Sequence, residues 1–600
     1  MTAAITLARM TESPRSGTEW WRTAVIYQIY PRSFADTSGD GIGDLRGVTE
    51  HLDDLAALGV DALWLSPFQT SPQKDAGYDV ADYCDVDPIF GTLADFDEML
   101  AGAHARGIRI IVDLVPNHSS DQHAWFQQAL AAAPGSRERA RYMFRDGRGD
   151  DGSVPPNNWE SVFGGPAWSR ITEADGTAGQ WYLHLFDASQ PDFDWSNPEV
   201  QEMFRGVLRF WLDRGVDGFR VDVAHGLVKA DGLPDYTPPE DAASMGGEEA
   251  DVPYWGQPGV HEIWRDWRRV MEEYDGDRAL CAEAWMPGPD ITALWVRSDE
   301  MHQAFNFPYL ETAWRAADLR EVITDSLRAF GGVGAPATWV LSNHDVVRHA
   351  SRLALTAENP QGAGIGPKSK GKPDPVVGLR RARAATTLMF ALPGSAYVYQ
   401  GEELGLPEVI DLPDEARQDP TWFRTGGERY GRDGCRVPIP WVSDAPAYGF
   451  SPEGASWLPQ PAEFAGFARD VQEDDPDSTL WLYRTLLAER RERALGAGEL
   501  EWLDGFGDDV MAFRNGGLTV VANTGTDAVT LPSGVVVAQS GPLAGDTLPA
   551  DTAVWLADAE GASPTRPFLA EPPPSTPEER AGSTRRGWLE ARERAATGVR

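Results

Sequence analysis

The sequence predicts an α/β chain: a closed parallel (β/α)8 barrel with a subdomain inserted after the third strand, followed by an antiparallel β-sandwich domain. Three observations carry this reading. Eight short apolar strands alternate with helical patterns, the connectivity of a parallel barrel rather than an open sheet. Between Val115 and Trp195 the chain is rich in Pro, Gly, Asn and Trp and lacks long periodic segments. A structureless loop of that length inside a compact domain is improbable, so an inserted subdomain is the simplest account. From about Glu499 the alternation gives way to short β segments alone. The division that follows is a barrel over 1–116 and 196–498, an inserted subdomain over 117–195, a β domain over 499–562 and a polar extension over 563–600.

In order, the first strand is Val25–Tyr30, ended by Pro31. Asp36-Thr-Ser-Gly-Asp-Gly-Ile-Gly-Asp44 follows, with side-chain oxygens at Asp36, Ser38, Asp40 and Asp44 and glycines that permit a tight turn. Oxygen ligands on every second residue follow the spacing of a calcium loop, although no Glu at the twelfth position makes it an EF-hand. A helical pattern over 48–58 leads into the strand Ala62–Leu65, and another over 93–106 leads into Ile108–Asp113. After the insertion, Gly218-Phe-Arg-Val-Asp222 is the fourth strand. Short apolar strands at 279–284, 304–307, 338–341 and 396–399 complete the eight, the last preceded by a helix over 379–390. A loop-rich stretch over 229–257 is placed to cover the barrel mouth. In the β domain, strands are read at 510–513, 518–522, 529–531 and 535–538.

The chain is strongly acidic: 53 basic against 92 acidic residues give a net charge of −39. That argues against nucleic acid and anionic membranes as partners, because both require a basic surface. Three cysteines, Cys84, Cys281 and Cys435, lie far apart and form no metal or disulfide framework. The first twenty residues lack the apolar core of a signal peptide, and the apolar run 384–399 is too short to span a bilayer. A cytoplasmic protein is expected. Aromatic content of 10% with 23 Trp suits a sugar ligand, whose rings present apolar faces to aromatic side chains.

Polar residues gather at the carboxyl ends of the strands, which in such a barrel converge on one mouth. Strand three ends in Asp113-Leu-Val-Pro-Asn117-His118 and strand four carries Arg220 and Asp222. Strand five ends in Glu283-Ala-Trp285 and strand seven in Asn343-His344-Asp345. Arg220 and Asp222 are two apart and therefore share one face. Taken alone, that pair reads as a structural ion pair; the company of Glu283 and Asp345 makes it a reaction centre. Two carboxylates at one mouth suit glycosidic bond cleavage, one as nucleophile and one as acid/base. Arg220 is expected to keep Asp222 ionised, and the apolar neighbours of Glu283 to raise its pKa toward that of an acid. Asp345 is the third carboxylate, placed to hold sugar hydroxyls and stabilise developing positive charge.

These motifs resemble glycoside hydrolase family 13, the α-amylase family, in its α-glucosidase and oligo-1,6-glucosidase branch. The resemblance rests on DLVPNH (113–118), GFRVD (218–222), EAW (283–285) and NHD (343–345), with Gln190-Pro-Asp-Phe-Asp194 similar to the branch's QPDLN, and it runs from about Trp20 to Arg490. It implies Asp222 as nucleophile, Glu283 as acid/base and Asp345 as transition-state stabiliser, with net retention. It further implies sugar binding by Tyr78, Asp79, His118, Arg220 and His344, with Asp79 closing the pocket around the nonreducing end. Phe163, Gln190, Arg432 and Arg436 are implied at the pocket mouth, and the 36–44 loop as a Ca2+ or Mg2+ site completed by the Ile42 carbonyl. No organic cofactor is implied.

The reaction expected is removal of terminal α-linked glucose from short neutral oligosaccharides by a monomer or homodimer. Val223 points to α-1,6 linkages; Ala224-His225-Gly226 departs from the usual oligo-1,6-glucosidase continuation and sets His225 toward the leaving group. Both linkages stay open, with α-1,4 slightly ahead. A glucosyl transferase or isomerase of the sucrose isomerase or trehalose synthase type would use the same carboxylates. A catalytically dead homologue is disfavoured because all three are present.

Overall fold

The computed structural model describes residues 19–237, 252–356 and 364–558. The polar extension over 563–600, the amino-terminal segment up to residue 18 and the middle of the 229–257 loop lie outside the described residues.

Eight parallel strands form the barrel: β1 (Val25–Ile29), β2 (Ala62–Leu65), β3 (Arg109–Leu114), β4 (Gly218–Val221), β5 (Ala279–Ala282), β6 (Gln303–Ala304), β7 (Thr338–Val340) and β8 (Ser395–Tyr399). They pair in the order β6-β5-β4-β3-β2-β1-β8-β7. Between β6 and β7 closure passes to a single bond, the Asn306 N–H donating to the Thr338 carbonyl at 3.2 Å. Side chains alternate across each strand. Ile26, Trp64, Ile111, Cys281, Phe305, Val340 and Tyr397 form one apolar cluster inside the barrel. Their neighbours Tyr27, Leu63, Ile110, Leu280 and Val398 belong to the larger core against the helices. Neighbouring registers set Asp113 beside Arg220 and Arg220 beside Cys281, so the charged row begins where the apolar filling ends.

The helices follow their capping chemistry. The pattern over 48–58 is split into Leu45–Glu50 and Leu52–Leu58 at His51, which leaves helical geometry to stack on Trp441 with ring centroids 3.5 Å apart. Leu93–Ala105 starts from a capping box between Thr92 and Asp95. The helix before β8 begins at Pro375 rather than Leu379, because Asp374 caps it and proline suits the first helical position. Pro198–Arg214, which the sequence reading passed over, leads from the insertion to β4 and ends at Gly215, whose φ of 105° is easy only for glycine.

The insertion contains the helix Ala124–Ala131 and a three-stranded antiparallel sheet of Phe144–Arg145, Ala178–Leu183 and Trp168–Thr172. Beyond the barrel, a five-stranded antiparallel sheet includes a strand, Thr552–Ala557, absent from the sequence reading. All six of its residues are buried, so it lacks the alternation that marks a one-faced strand. Trp555 sits against the 375–390 helix, donating to the Thr387 carbonyl. A two-residue ribbon, 529–530 with 547–548, adds Leu548 to a cluster with Ala512, Val521, Val554 and Leu556.

Candidate active site

The strand ends bring the predicted carboxylates around one guanidinium. Arg220 donates through Nη1 to Asp222 Oδ1 at 2.6 Å and to Asp113 Oδ1 at 3.0 Å, and its Nη2 lies 2.8 Å from Glu283 Oε2. The arginine is 2% exposed and also lies over the faces of Trp64 and Tyr78. Asp113 accepts further bonds from Trp64 Nε1 and the Tyr78 hydroxyl. Its motif drew attention in the sequence, but the electrostatic partnership emerges only from the register of β3 and β4.

One positive charge facing three buried carboxylates leaves an excess of negative charge. Burial first, then repulsion among the acids, pushes Asp113 up to about 7 against the pull of Arg220. Asp222 is raised well above the ordinary aspartate value for the same reasons, burial leading. This corrects the expectation that Arg220 by itself keeps Asp222 ionised: the arginine is shared. Interacting acids of this kind titrate as a unit. The surroundings of Glu283 also differ from the apolar setting expected from its neighbours in sequence. Trp285 Nε1 donates to Oε1 and the Val223 N–H to Oε2, each at 3.0 Å. Val223 reaches that oxygen from a φ of 46°. A β-branched residue there carries backbone strain, a feature that collects at working sites.

Asp345 is the opposite case. Although burial pushes it upward, the charges of Arg432, Arg436 and Arg220 together hold it below the ordinary aspartate range. Arg432 and Arg436 each donate to its Oδ1, at 3.1 and 2.9 Å. His344 is kept neutral mainly by burial. Gln28 donates to its Nδ1, its Nε2 pairs with the Tyr78 hydroxyl at 2.6 Å, and its ring stacks on Tyr78.

The pocket wall continues through His118, whose Nε2 lies 3.2 Å from the amide nitrogen of Gln190 and whose pKa burial lowers to about 4. Gln190 donates to Asp75 Oδ2 at 3.1 Å, and Asp75 Oδ1 accepts from Arg432 at 2.8 Å. Phe163 lies under the Arg432 guanidinium, 5.1 Å from it. Asp75 therefore joins the insertion to Arg432, whereas the residue expected to close the pocket was Asp79. Asp79 lies instead beneath the loop, fully buried, with its oxygens taken by the Ser71 hydroxyl and the N–H groups of Lys74 and Asp75. Gly-Tyr-Asp drew attention to itself, whereas Asp75, three residues before Tyr78, carries no local signal. His225 lies fully buried, its ring 4.6 Å from that of Trp255, and the Gly256 N–H donates to its carbonyl.

Away from the pocket, the loop from Asp36 to Asp44 is held by its own bonds. Asp36 accepts from Ser38, Gly39 and Gly41, Asp40 from the Ile42 N–H, and Asp44 from Thr37 and Gly47. Among the described residues no three His, Cys, Asp or Glu side chains form a metal-holding group, so any fit rests on a mixed donor set of carboxylates, the Ser38 hydroxyl and a carbonyl. Asp36 and Asp44 are buried and pair with no cation among the described residues. An oxygen-only loop with uncompensated buried charge suits a hard divalent ion.

Residues 28–498 match the family described as alpha amylase, catalytic domain. The chain is 41% identical over 510 residues to a probable alpha-glucosidase of Rhizobium meliloti (strain 1021), covering 81% of this chain and 85% of that one. It is 34% identical over 502 residues to an oligo-1,6-glucosidase of Parageobacillus thermoglucosidasius, covering 79% and 84%. Among solved structures it is similar to the alpha-glucosyl transfer enzyme XgtA, with a TM-score of 0.76, 35% identity and coverage of 90% of this chain and 99% of that one. The trehalulose synthase MutB from Pseudomonas mesoacidophila MX-45 has a TM-score of 0.75 and 31% identity at the same coverage.

Proposed function

Because the chain belongs to the α-amylase family of glycoside hydrolases, in its α-glucosidase branch, we propose that it is a retaining, exo-acting α-glucosidase. Its substrates are short neutral oligosaccharides, with Asp222 as nucleophile, Glu283 as acid/base and Asp345 as transition-state stabiliser. The observation that carries this is the grip of one guanidinium on both Asp222 and Glu283. Two carboxyl groups within the span of one arginine suit the roughly 5–5.5 Å separation of retaining enzymes better than the ~6.5–9.5 Å of inverting ones.

In this reading Glu283 delivers a proton from the cluster to the glycosidic oxygen as Asp222 attacks the anomeric carbon. Water, deprotonated by Glu283, then releases glucose from the ester. Asp345, held ionised by two arginines, faces the positive charge that develops on the sugar ring. Tyr78, its ring backed by that of His344, offers a flat face to the sugar. The Asp75–Arg432 bridge blocks the far end and supports exo action.

The reading includes a cytoplasmic location, with no nucleic acid or membrane as partner; no described helix is long and apolar enough to cross a membrane. It also places a Ca2+ or Mg2+ ion in the 36–44 loop, where Asp36, Ser38, Asp40, Asp44 and the Ile42 carbonyl would hold it and its charge would brace the fold. No reaction step passes through it. Asp222→Asn is the decisive variant: turnover of an aryl α-glucoside should fall by several orders of magnitude with the thermal transition retained, and substantial residual activity refutes the assignment.

The likeness to XgtA and MutB favours a second reading, transfer of the glucosyl group to a sugar instead of water. Products from maltose, isomaltose and sucrose separate the two: free glucose supports hydrolysis, and a dominant isomeric disaccharide supports transfer.

A further inference from the structure

The two turns of the insertion that carry Phe163 and Gln190 are both held by one arginine from the other side of the mouth. Arg424 lies in the short helix Pro420–Arg424, in the long segment after β8. Its Nε and Nη2 donate to the Gly164 carbonyl at 2.8 and 2.6 Å, and its Nη1 to Asp187 Oδ2 at 3.1 Å. Gly164 directly follows Phe163. The Asp187 N–H donates in turn to Gln190 Oε1 at 3.0 Å, so Asp187 and Gln190 belong to one turn. Each turn has bonds of its own, the Gly164 N–H donating to the Ser161 carbonyl and the Gln190 N–H to the Asp187 carbonyl, each at 2.8 Å, and Arg424 ties both to the far segment. Gly164 and Gly165 have φ values of 101° and 77°, conformations that glycine adopts freely and leaves as freely. A fixed two-pronged donor on a backbone carbonyl, with a third bond to a carboxylate, is what a guanidinium provides and an ammonium cannot. The Arg424 side chain is 20% exposed, so the bonds are partly shielded from water.

We propose that Arg424 is a positioning residue that fixes the width of the sugar pocket by clamping the Phe163 and Gln190 turns, and thereby sets which chain lengths are accepted. The proposal rests on the α-glucosidase reading for its sugar, though not for its geometry. With the clamp in place, Phe163 stays under Arg432 and Gln190 stays between His118 and Asp75. Without it, the tie from the 420–424 helix is lost and the two turns are held only by their own bonds, Val162 N–H to the Leu185 carbonyl and Ser161 Oγ to the Phe186 carbonyl among them, so the wall is held less firmly.

The test compares Arg424→Ala and Arg424→Lys with the parent protein. For Arg424→Ala, KM for maltose should rise about tenfold or more, the size associated with losing charge-assisted bonds. kcat should change far less, and the preference for maltose over maltotetraose should narrow. Arg424→Lys restores charge but not the two-pronged grip, so it should recover only part of KM. Limited proteolysis supplies a readout independent of activity: cleavage near Gly164–Gly165 should be about tenfold faster in Arg424→Ala at temperatures where both proteins are folded. An unchanged KM and chain-length profile overturns the proposal, and so does a fall in kcat and stability with no change in KM. If the parent protein splits no α-glucoside, the functional reading fails, and the proteolysis result alone decides the clamp.

Discussion

Asp113→Asn tests the charge balance on which the reaction centre depends. Asp113 and Asp222 both bond to Nη1 of Arg220, at 3.0 and 2.6 Å, in a site almost closed to water. Two like charges about 5 Å apart at an effective dielectric of about 20 repel by roughly 3 kcal/mol, equivalent to a shift of about two pH units. The side-chain oxygen of asparagine can still accept from Arg220, so the variant removes charge and largely keeps shape. Removing a negative neighbour makes the remaining acids easier to ionise. The alkaline limb of kcat/KM is therefore expected to move toward acid by one to two pH units.

Stability carries the same sign. Asp113 is raised above its unfolded value, so between about 4 and 7 the folded state binds more protons than the unfolded state. Its contribution is present at low pH and is lost as pH rises through that window. Asp113→Asn should lack this slope. Rate profiles with an aryl α-glucoside and Tm measured against pH are the assays. An alkaline limb that stays in place, or a parent protein whose Tm does not decline through the window, would refute the shared-arginine account.

The remaining expectations concern neighbouring positions. Asp75→Asn should raise KM for disaccharides by about tenfold, since Arg432 loses a charged partner. Asp79→Asn should instead lower stability by about 1–3 kcal/mol, because an amide would face two backbone donors. If Asp79→Asn mainly damages KM and Asp75→Asn does not, the assignment of the pocket floor is reversed. For the 36–44 loop, chelation by EDTA should lower Tm and added Ca2+ or Mg2+ should restore it; a Tm indifferent to both refutes an ion there.

Much of the architecture is legible locally. The strands end in the motifs that supply Asp222, Glu283 and Asp345, and the eight alternations are each visible as short apolar runs. The boundaries slip where a tertiary contact or a cap outweighs the local pattern. His51 leaves its helix for Trp441, and Asp374 starts the helix before β8 four residues early. The strand Thr552–Ala557 hides because burial on both faces erases its period.

By itself the chain determined which chemistry was available: the residue types at the strand ends, their two-residue spacing and hence their shared face. Covalent spacing and strand periodicity are local, so they can be read without coordinates. Only the tertiary structure decided how charge is divided among those residues. The register of β3 against β4 sets Asp113 beside Arg220, turning a pair into a cluster in which one cation serves three carboxylates. It also put Asp75 rather than Asp79 against Arg432, buried His225, and brought Arg424 across the mouth to the Phe163 turn. Those outcomes depend on distances between segments far apart in sequence, and electrostatic energy depends on distance and burial, neither of which is written along the chain.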